Sequence, residues 1–217
     1  MKKVGLVLFC FIVSLVSYSQ SIWTIGIDGG LDYHLNKYHN EAAPHNAVAF
    51  KDGGLDFHAG IDLGMKITKV VKFRVNCNYG EYSFGQKPTG GEPYAKAEKT
   101  LSYIGIIPRV DVLLASFGKF DLLVSPGLDL EYIIGFKNKT TGLDGEISDS
   151  DHSDHVRSNY KSNYKGVAGE AILRYNITKN YAITLSPEYT YFLNELYEKN
   201  TKNMQRFRVG LGFQWTI

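Results

Sequence analysis

Gly54–Ile67 reads GLDFHAGIDLGMKI, and its alternation decides the fold. Leu55, Phe57, Ala59, Ile61, Leu63, Met65 and Ile67 are all apolar. Gly54, Asp56, His58, Gly60, Asp62, Gly64 and Lys66 are all polar or glycine. A period of two sends these sets to opposite faces of one strand. The run is far longer than the five or six residues usual for a strand in a globular domain. It matches a tilted membrane-crossing strand, which needs about 9–11 residues with an apolar exterior and a polar interior.

The pattern recurs. Strands are expected at Ile22–His34, Lys72–Ser83, Thr100–Leu114, Phe120–Phe136, Asn163–Ile177, Tyr181–Leu193 and Met204–Ile217, which with the first stretch makes eight. Short connections (Thr68–Val71, Ala115–Lys119, Thr178–Asn180) alternate with longer polar ones, of which Lys137–Ser162 is the longest and too poor in apolar residues to order itself. Short turns lie on the periplasmic side of bacterial barrels and long loops outside. The expected fold is an all-β, closed, eight-stranded antiparallel up-and-down transmembrane barrel. A soluble lipocalin-like barrel would need the reverse polarity. In the fourth strand the apolar phase shifts between Leu101/Tyr103 and Ile106–Leu114, so a β-bulge is expected near Ile104–Ile107, with Pro108 beside it.

Aromatic residues sort by strand end. Trp23, Phe73, Phe120, Tyr175, Tyr181 and Trp215 fall near the inner ends. Tyr33, Phe57, Tyr79, Tyr103, Tyr132, Tyr189, Tyr191 and Phe207 fall near the outer ends, giving two interfacial girdles. No window past the N-terminus holds the ~18 apolar residues of a spanning helix, and mean hydropathy is -0.19. Net charge is +2, which excludes a nucleic-acid footprint.

Residues 1–19 read as a signal peptide: Lys2 and Lys3, the apolar Val4–Val16, then Ser17 and Ser19, with Gln20 beginning a 20–217 barrel domain. Cys10 falls inside that segment, so Cys77 is the only mature cysteine and faces lipid as a small hydrophobe.

The other face of each strand is charged. Asp28, Asp32, Asp56, His58, Asp62, Asp129, Glu131, Glu170 and Glu188 are expected in the lumen with Lys66, Arg74, Arg109, Arg174, Arg206 and Arg208. A barrel of eight strands is just wide enough for side chains to fill. The near balance of signs implies a polar plug, with Arg206 or Arg208 pairing Asp28 or Asp32 where the last strand meets the first. A narrow porin-like channel is the alternative. His34 and His58 with Asp32 and Asp56 admit a second alternative, a rim-histidine enzyme, but no nucleophile accompanies them. Asp149, Asp151, His152, Asp154 and His155 have ligand chemistry without calcium-loop spacing. No catalytic residue, cofactor or metal site is therefore expected. Loop lysines (Lys137, Lys139, Lys161, Lys199, Lys202) provide charge that anionic lipopolysaccharide would meet.

Arg208–Trp215, RVGLGFQW, resembles the C-terminal signal read by barrel-assembly machinery, with Gly210, Phe213 and Trp215 carrying the likeness. LSYIGIIP at Leu101–Pro108, PGLDLEY at Pro126–Tyr132, Gly166–Tyr175 and Tyr181–Tyr191 resemble the PorT-like outer-membrane β-barrel family of Bacteroidetes. That resemblance implies an outer-membrane location and transfers no catalytic residue. The expected role is structural, adhesive or binding, or accessory to an envelope or secretion system. Expected contacts are outer-membrane lipid, lipopolysaccharide and an extracellular or periplasmic partner.

Overall fold

The structure is a computed structural model describing residues 23–35, 49–50, 54–87, 94–142, 146–150, 162–194 and 204–217. The signal segment and the metal-ligand candidates Asp151, His152, Asp154 and His155 lie outside the described residues. So do Lys161, Lys199 and Lys202. In chain order the strands are β1 (Trp23–Leu35), β2 (Ala49–Phe50), β3 (Leu55–Lys66), β4 (Val71–Lys87) and β5 (Tyr94–Phe117). They continue with β6 (Phe120–Gly142), β7 (Ile147–Ser150), β8 (Asn163–Asn176), β9 (Tyr181–Phe192) and β10 (Gln205–Thr216). Eight of them form one closed antiparallel cylinder, β1-β3-β4-β5-β6-β8-β9-β10, with β10 paired back to β1 from Thr24↔Thr216 to Leu35↔Gln205. Closure leaves the cylinder with no free edge. β2 and β7 add short pairings to β4 and β6 beyond it.

Alternation supplies the inside–outside partition. In β3 every odd residue from Leu55 to Leu63 is exposed, while Asp56, His58 and Asp62 are buried. Large apolar residues of all eight staves coat the perimeter, among them Ile27, Ile61, Leu128, Val167, Ile183 and Leu211. Cys77 lies on this outer face. Both ends of the described chain meet at the rim that carries the three tight turns, where Ile217 donates its N–H to the Trp23 carbonyl at 2.8 Å. One of these turns uses Gly118 at φ +63°, the left-handed value a two-residue hairpin needs at its first central position.

Several local expectations are corrected. β5 has no phase slip at Ile104–Ile107: its ladder to β4 runs unbroken from Val71↔Val112 to Gln86↔Ala97. Its register to β6 is also the same at Ile106↔Leu130 and Arg109↔Gly127. Leu101 and Tyr103 are not outward but fully buried on the inward face. Tyr103 therefore leaves the outer girdle. Apolar residues at inward positions imitate a slipped alternation. The extra residues are elsewhere: Ile134 in β6, between Ser102↔Gly135 and Tyr103↔Ile133, and in β5 Leu114, between Leu113↔Leu123 and Ala115↔Leu122, and Ala95, between Tyr94↔Gly142 and Lys96↔Thr141.

The segment expected to be one loop from Lys137 carries strand at 137–142 and 147–150. β6 runs on to Gly142 and pairs β7 from Asn138↔Ser150 to Thr141↔Ile147. β4 and β5 likewise extend into the polar connection between the strands expected to end at Ser83 and begin at Thr100. Backbone ladders hold these polar segments, so they need no buried apolar face. Lys66, expected in the lumen, is exposed at the turn-end rim, because the wall ends there and its stem reaches past it.

Candidate functional site

The lumen is built in layers. At the loop end an apolar group occupies inward positions: Tyr82, Leu101, Tyr103, Tyr164, Phe192 and Met204 form a cluster against which Ile133 and Phe136 pack. Tyr82 and Tyr103 stack at 4.5 Å and 18°. The Tyr164 ring meets Phe192 edge-on at 6.2 Å, and His34 meets Tyr82 edge-on at 4.3 Å. This cap was not anticipated. Its signal was present in β4, where Arg74, Asn76 and Asn78 share the phase of Gly80 and Tyr82.

Gly80 makes room for the cap. A Cβ there would lie 2.4 Å from the Tyr103 hydroxyl oxygen. Gly80→Val is expected to cost about 1–3 kcal/mol through overpacking, measured by urea unfolding in lipid vesicles. Gly169→Val, where a Cβ would meet nothing within 4 Å, is the control expected to stay near wild type.

Beneath the cap, Arg206 is fully buried and binds across the whole lumen. Nη1 donates to Glu131 and to the hydroxyls of Tyr82 (3.3 Å) and Tyr103 (3.2 Å). Nη2 donates to Asp129, Glu188 (3.1 Å) and Thr190 (3.4 Å). Its guanidinium carbon lies 5.5 Å from the Phe192 ring centre, within cation–π range. Tyr82 also donates to Glu131, so the cap and the charged layer share hydrogen bonds.

Arg208 closes the seam. Its Nε and Nη2 donate to the two Asp32 oxygens at 2.9 and 3.0 Å, a bidentate pair joining the last strand to the first. His58 Nδ1 lies 2.7 Å from Asp32 Oδ1, and its Nε2 is 3.5 Å from Asp28. His34 Nε2 is 3.6 Å from Asp56. The rim constellation therefore splits into two buried pairs. Among the described residues no group of three His, Cys, Asp or Glu side chains is disposed to hold a metal.

The next layer centres on Arg74, which donates to Asp62 (3.2 Å), Asp111 (3.1 Å), Ser125 (3.3 Å) and Glu170. Arg109 reaches Glu188 and, at 3.4 Å, Glu170. Asn76 donates to Asp28 (2.8 Å) and Asp62 (3.2 Å). Toward the turns, Lys72 pairs with Asp111 at 3.1 Å and Arg174 with Asp121 at 2.8 Å. Thus Asp28, Asp32, Asp56, His58, Asp62, Arg74, Arg109, Asp129, Glu131, Glu170, Arg174, Glu188, Arg206 and Arg208 all face the lumen. Lys72, Asp111 and Asp121 belong to the same system.

Ten inward carboxylates (Asp28, Asp32, Asp56, Asp62, Asp111, Asp121, Asp129, Glu131, Glu170, Glu188) face six cations (Lys72, Arg74, Arg109, Arg174, Arg206, Arg208), so the interior is acidic rather than balanced. The void in mid-lumen, between Asp28, His58, Arg74, Arg109, Glu170 and Arg208, is about 20 Å³, room for one water. Of the proposed assembly residues, Gly210 faces inward beside His58, while Phe213 and Trp215 are exposed on the perimeter near the turn end.

No protein-family model and no curated protein matches the chain. Solved structures do. Neisserial surface protein A is 14% identical, with 89% of this chain and 96% of that one covered and a TM-score of 0.51. OprG of Pseudomonas aeruginosa is 11% identical over 89% and 95% of the two chains, with a TM-score of 0.44. Ail of Yersinia pestis, solved with the heparin analogue sucrose octasulfate, is 12% identical over 89% and 99%, with a TM-score of 0.43. The first of these likenesses places the fold among the small outer-membrane barrels.

Proposed function

We propose that this chain is a small, non-enzymatic barrel of the Gram-negative outer membrane, stoppered along its axis, whose projecting sheet is its working surface for adhesion, binding or an accessory role. The observation that carries this reading is the pair of guanidinium layers. Arg206 reaches carboxylates on two staves and Arg74 on three, and the mid-lumen void that Arg74 lines is water-sized, about 20 Å³. The apolar perimeter with aromatic ends supports the membrane location, as does the likeness to Neisserial surface protein A. With the short turns toward the periplasm, the loop end faces outward.

β5 and β6 have 24 and 23 residues. Crossing needs about 9–11. The surplus of the β4–β5–β6–β7 sheet therefore stands outside the bilayer, a ready surface for a partner. Lys137 and Lys139 are exposed there, placed to meet phosphates of lipopolysaccharide. The Leu101–Pro108 and Pro126–Tyr132 runs support membership of the PorT-like family, and the RVGLGFQW run supports recognition by the assembly machinery.

Planar-bilayer recording tests the stopper. The purified barrel is expected to add no discrete conductance steps, and Arg206→Ala with Asp129→Ala and Glu131→Ala is expected to introduce them. Reproducible steps from the wild-type protein would favour the channel reading instead. For the rim histidines, His34→Ala and His58→Ala are expected to leave envelope lipid and protein profiles unchanged. A lost modification would reinstate an enzyme.

A further inference from the structure

The turn end differs from the rest of the interior. A cavity of about 220 Å³ opens there, lined from Thr24 on β1 round to Leu123 on β6 and Gln214 on β10. Lining from staves all round the wall makes it an axial mouth, open to the aqueous side rather than to the bilayer. It is smaller than the roughly 300–1,000 Å³ of pockets for drug-sized ligands.

Its charge is opposite to that of the lumen above. Five cations line it (Lys66, Lys69, Lys72, Arg174 and Lys179) against one carboxylate, Asp111. That carboxylate is already held by Lys72 and Arg74, both at 3.1 Å. Arg174 is held by Asp121, but no ion pair engages Lys69 or Lys179 among the described residues.

Two of the turns are built alike. Thr68 Oγ1 accepts the N–H groups of Val70 and Val71 at 3.2 and 3.0 Å, and Thr178 Oγ1 accepts those of Asn180 and Tyr181, both at 3.1 Å. The Ile67 N–H reaches the Val71 carbonyl and the Ile177 N–H the Tyr181 carbonyl, both at 2.9 Å. The repeated Ile-Thr-Lys thus sets Lys69 and Lys179 at equivalent positions on two turns of the same mouth. The third turn differs, since Lys119 lies 6.0 Å from the centre of the Tyr175 ring.

We infer that this mouth binds a small phosphate-type oxyanion from the periplasmic side. Lysine ammonium groups bind phosphate as point charges and need no planar fork. Firmly hydrogen-bonded turns present two of them with little backbone ordering left to do on binding. The anion stops at the mouth, because the next void inward is only about 20 Å³ and its Arg74, Arg109 and Arg208 are already matched by Asp28, Asp62, Glu170 and Glu188. The inference is independent of any partner at the loop end.

The test is a titration of isotope-labelled full barrel with inorganic pyrophosphate, read by NMR at constant ionic strength held with sodium chloride. In nanodiscs of zwitterionic lipid, saturable shifts are expected at residues 66–72 and 174–181. Lys69→Gln with Lys179→Gln, both on exposed turns, is expected to weaken binding roughly fivefold for each ammonium removed. A second arm uses nanodiscs containing phosphatidylglycerol. If a lipid headgroup supplies the phosphate, the same residues shift before any titrant is added and pyrophosphate must compete. If the source is soluble, the titration is unchanged. Absence of a saturable shift by about 10 mM pyrophosphate, or equal binding by the double variant, overturns the site. A protein segment being the true occupant would appear as that same failure with pyrophosphate.

Discussion

Arg206→Met is expected to destabilise the barrel by about 3–5 kcal/mol, the cost of leaving buried charges without their partner. The side chain is fully buried and serves Asp129 and Glu131 on β6 and Glu188 on β9. Its removal also strips the Tyr82 and Tyr103 hydroxyls of a donor. Urea unfolding in lipid vesicles and the heat-dependent shift of the folded band on a gel both measure the loss. Neutralising the acceptors as well, Asp129→Asn and Glu131→Gln, is expected to recover most of it, because a buried ion system replaced as a whole is often near neutral. Arg174→Met is the comparison. That side chain is 23% exposed and has one ion-paired partner, Asp121, so its loss is expected to be much smaller. Equal effects at the two positions would mean that the layered network does not hold the staves together.

Ile61→Arg is expected to cost about 2–4 kcal/mol in a bilayer, the penalty for a cation on the lipid face at mid-depth. Ile61 sits midway along β3, opposite Ile27 on one side and Cys77 on the other, in a ring of exposed apolar residues. The same change at Leu55, at the loop-end limit of β3, is expected to cost no more than about 1 kcal/mol. The readout is refolding yield and unfolding free energy in vesicles of matched thickness. A soluble cylinder with a wet exterior would show neither the penalty nor its dependence on depth.

The partition of the cylinder was legible because charge and grease alternate with the pleat. Asp56, His58 and Asp62 share one parity, and Leu55, Phe57 and Ile61 the other. Closure was legible too, since the eighth alternating run has only the first left to pair with. The cap was not. Leu101, Tyr103 and Phe192 are apolar at inward positions, and period-two reading sends apolar residues outward by default. The displaced bulge followed from that same ambiguity.

The extension through Lys137–Gly142 escaped because both of its faces are polar. Only the ladders to β5 and β7 reveal it. Lys72 shares the parity of Arg74 and was readable in principle, but at a strand's first residue parity is a weak signal. The paired Ile-Thr-Lys turns lie far apart in sequence, and only closure of the barrel brings them to one mouth.

Spin labels placed singly at each position from Leu55 to Lys66, in bilayers, test the polarity of the wall most directly. Collision with dissolved oxygen and with a water-soluble nickel chelate would be measured at each. Oxygen collisions are expected to rise at Phe57, Ala59, Ile61 and Leu63 and to fall at His58, Gly60, Asp62 and Gly64, with the chelate excluded from both sets at mid-strand. Loss of that two-residue oscillation, or free access of the chelate to the Ile61 face, would contradict a membrane-embedded cylinder with a charged, closed interior.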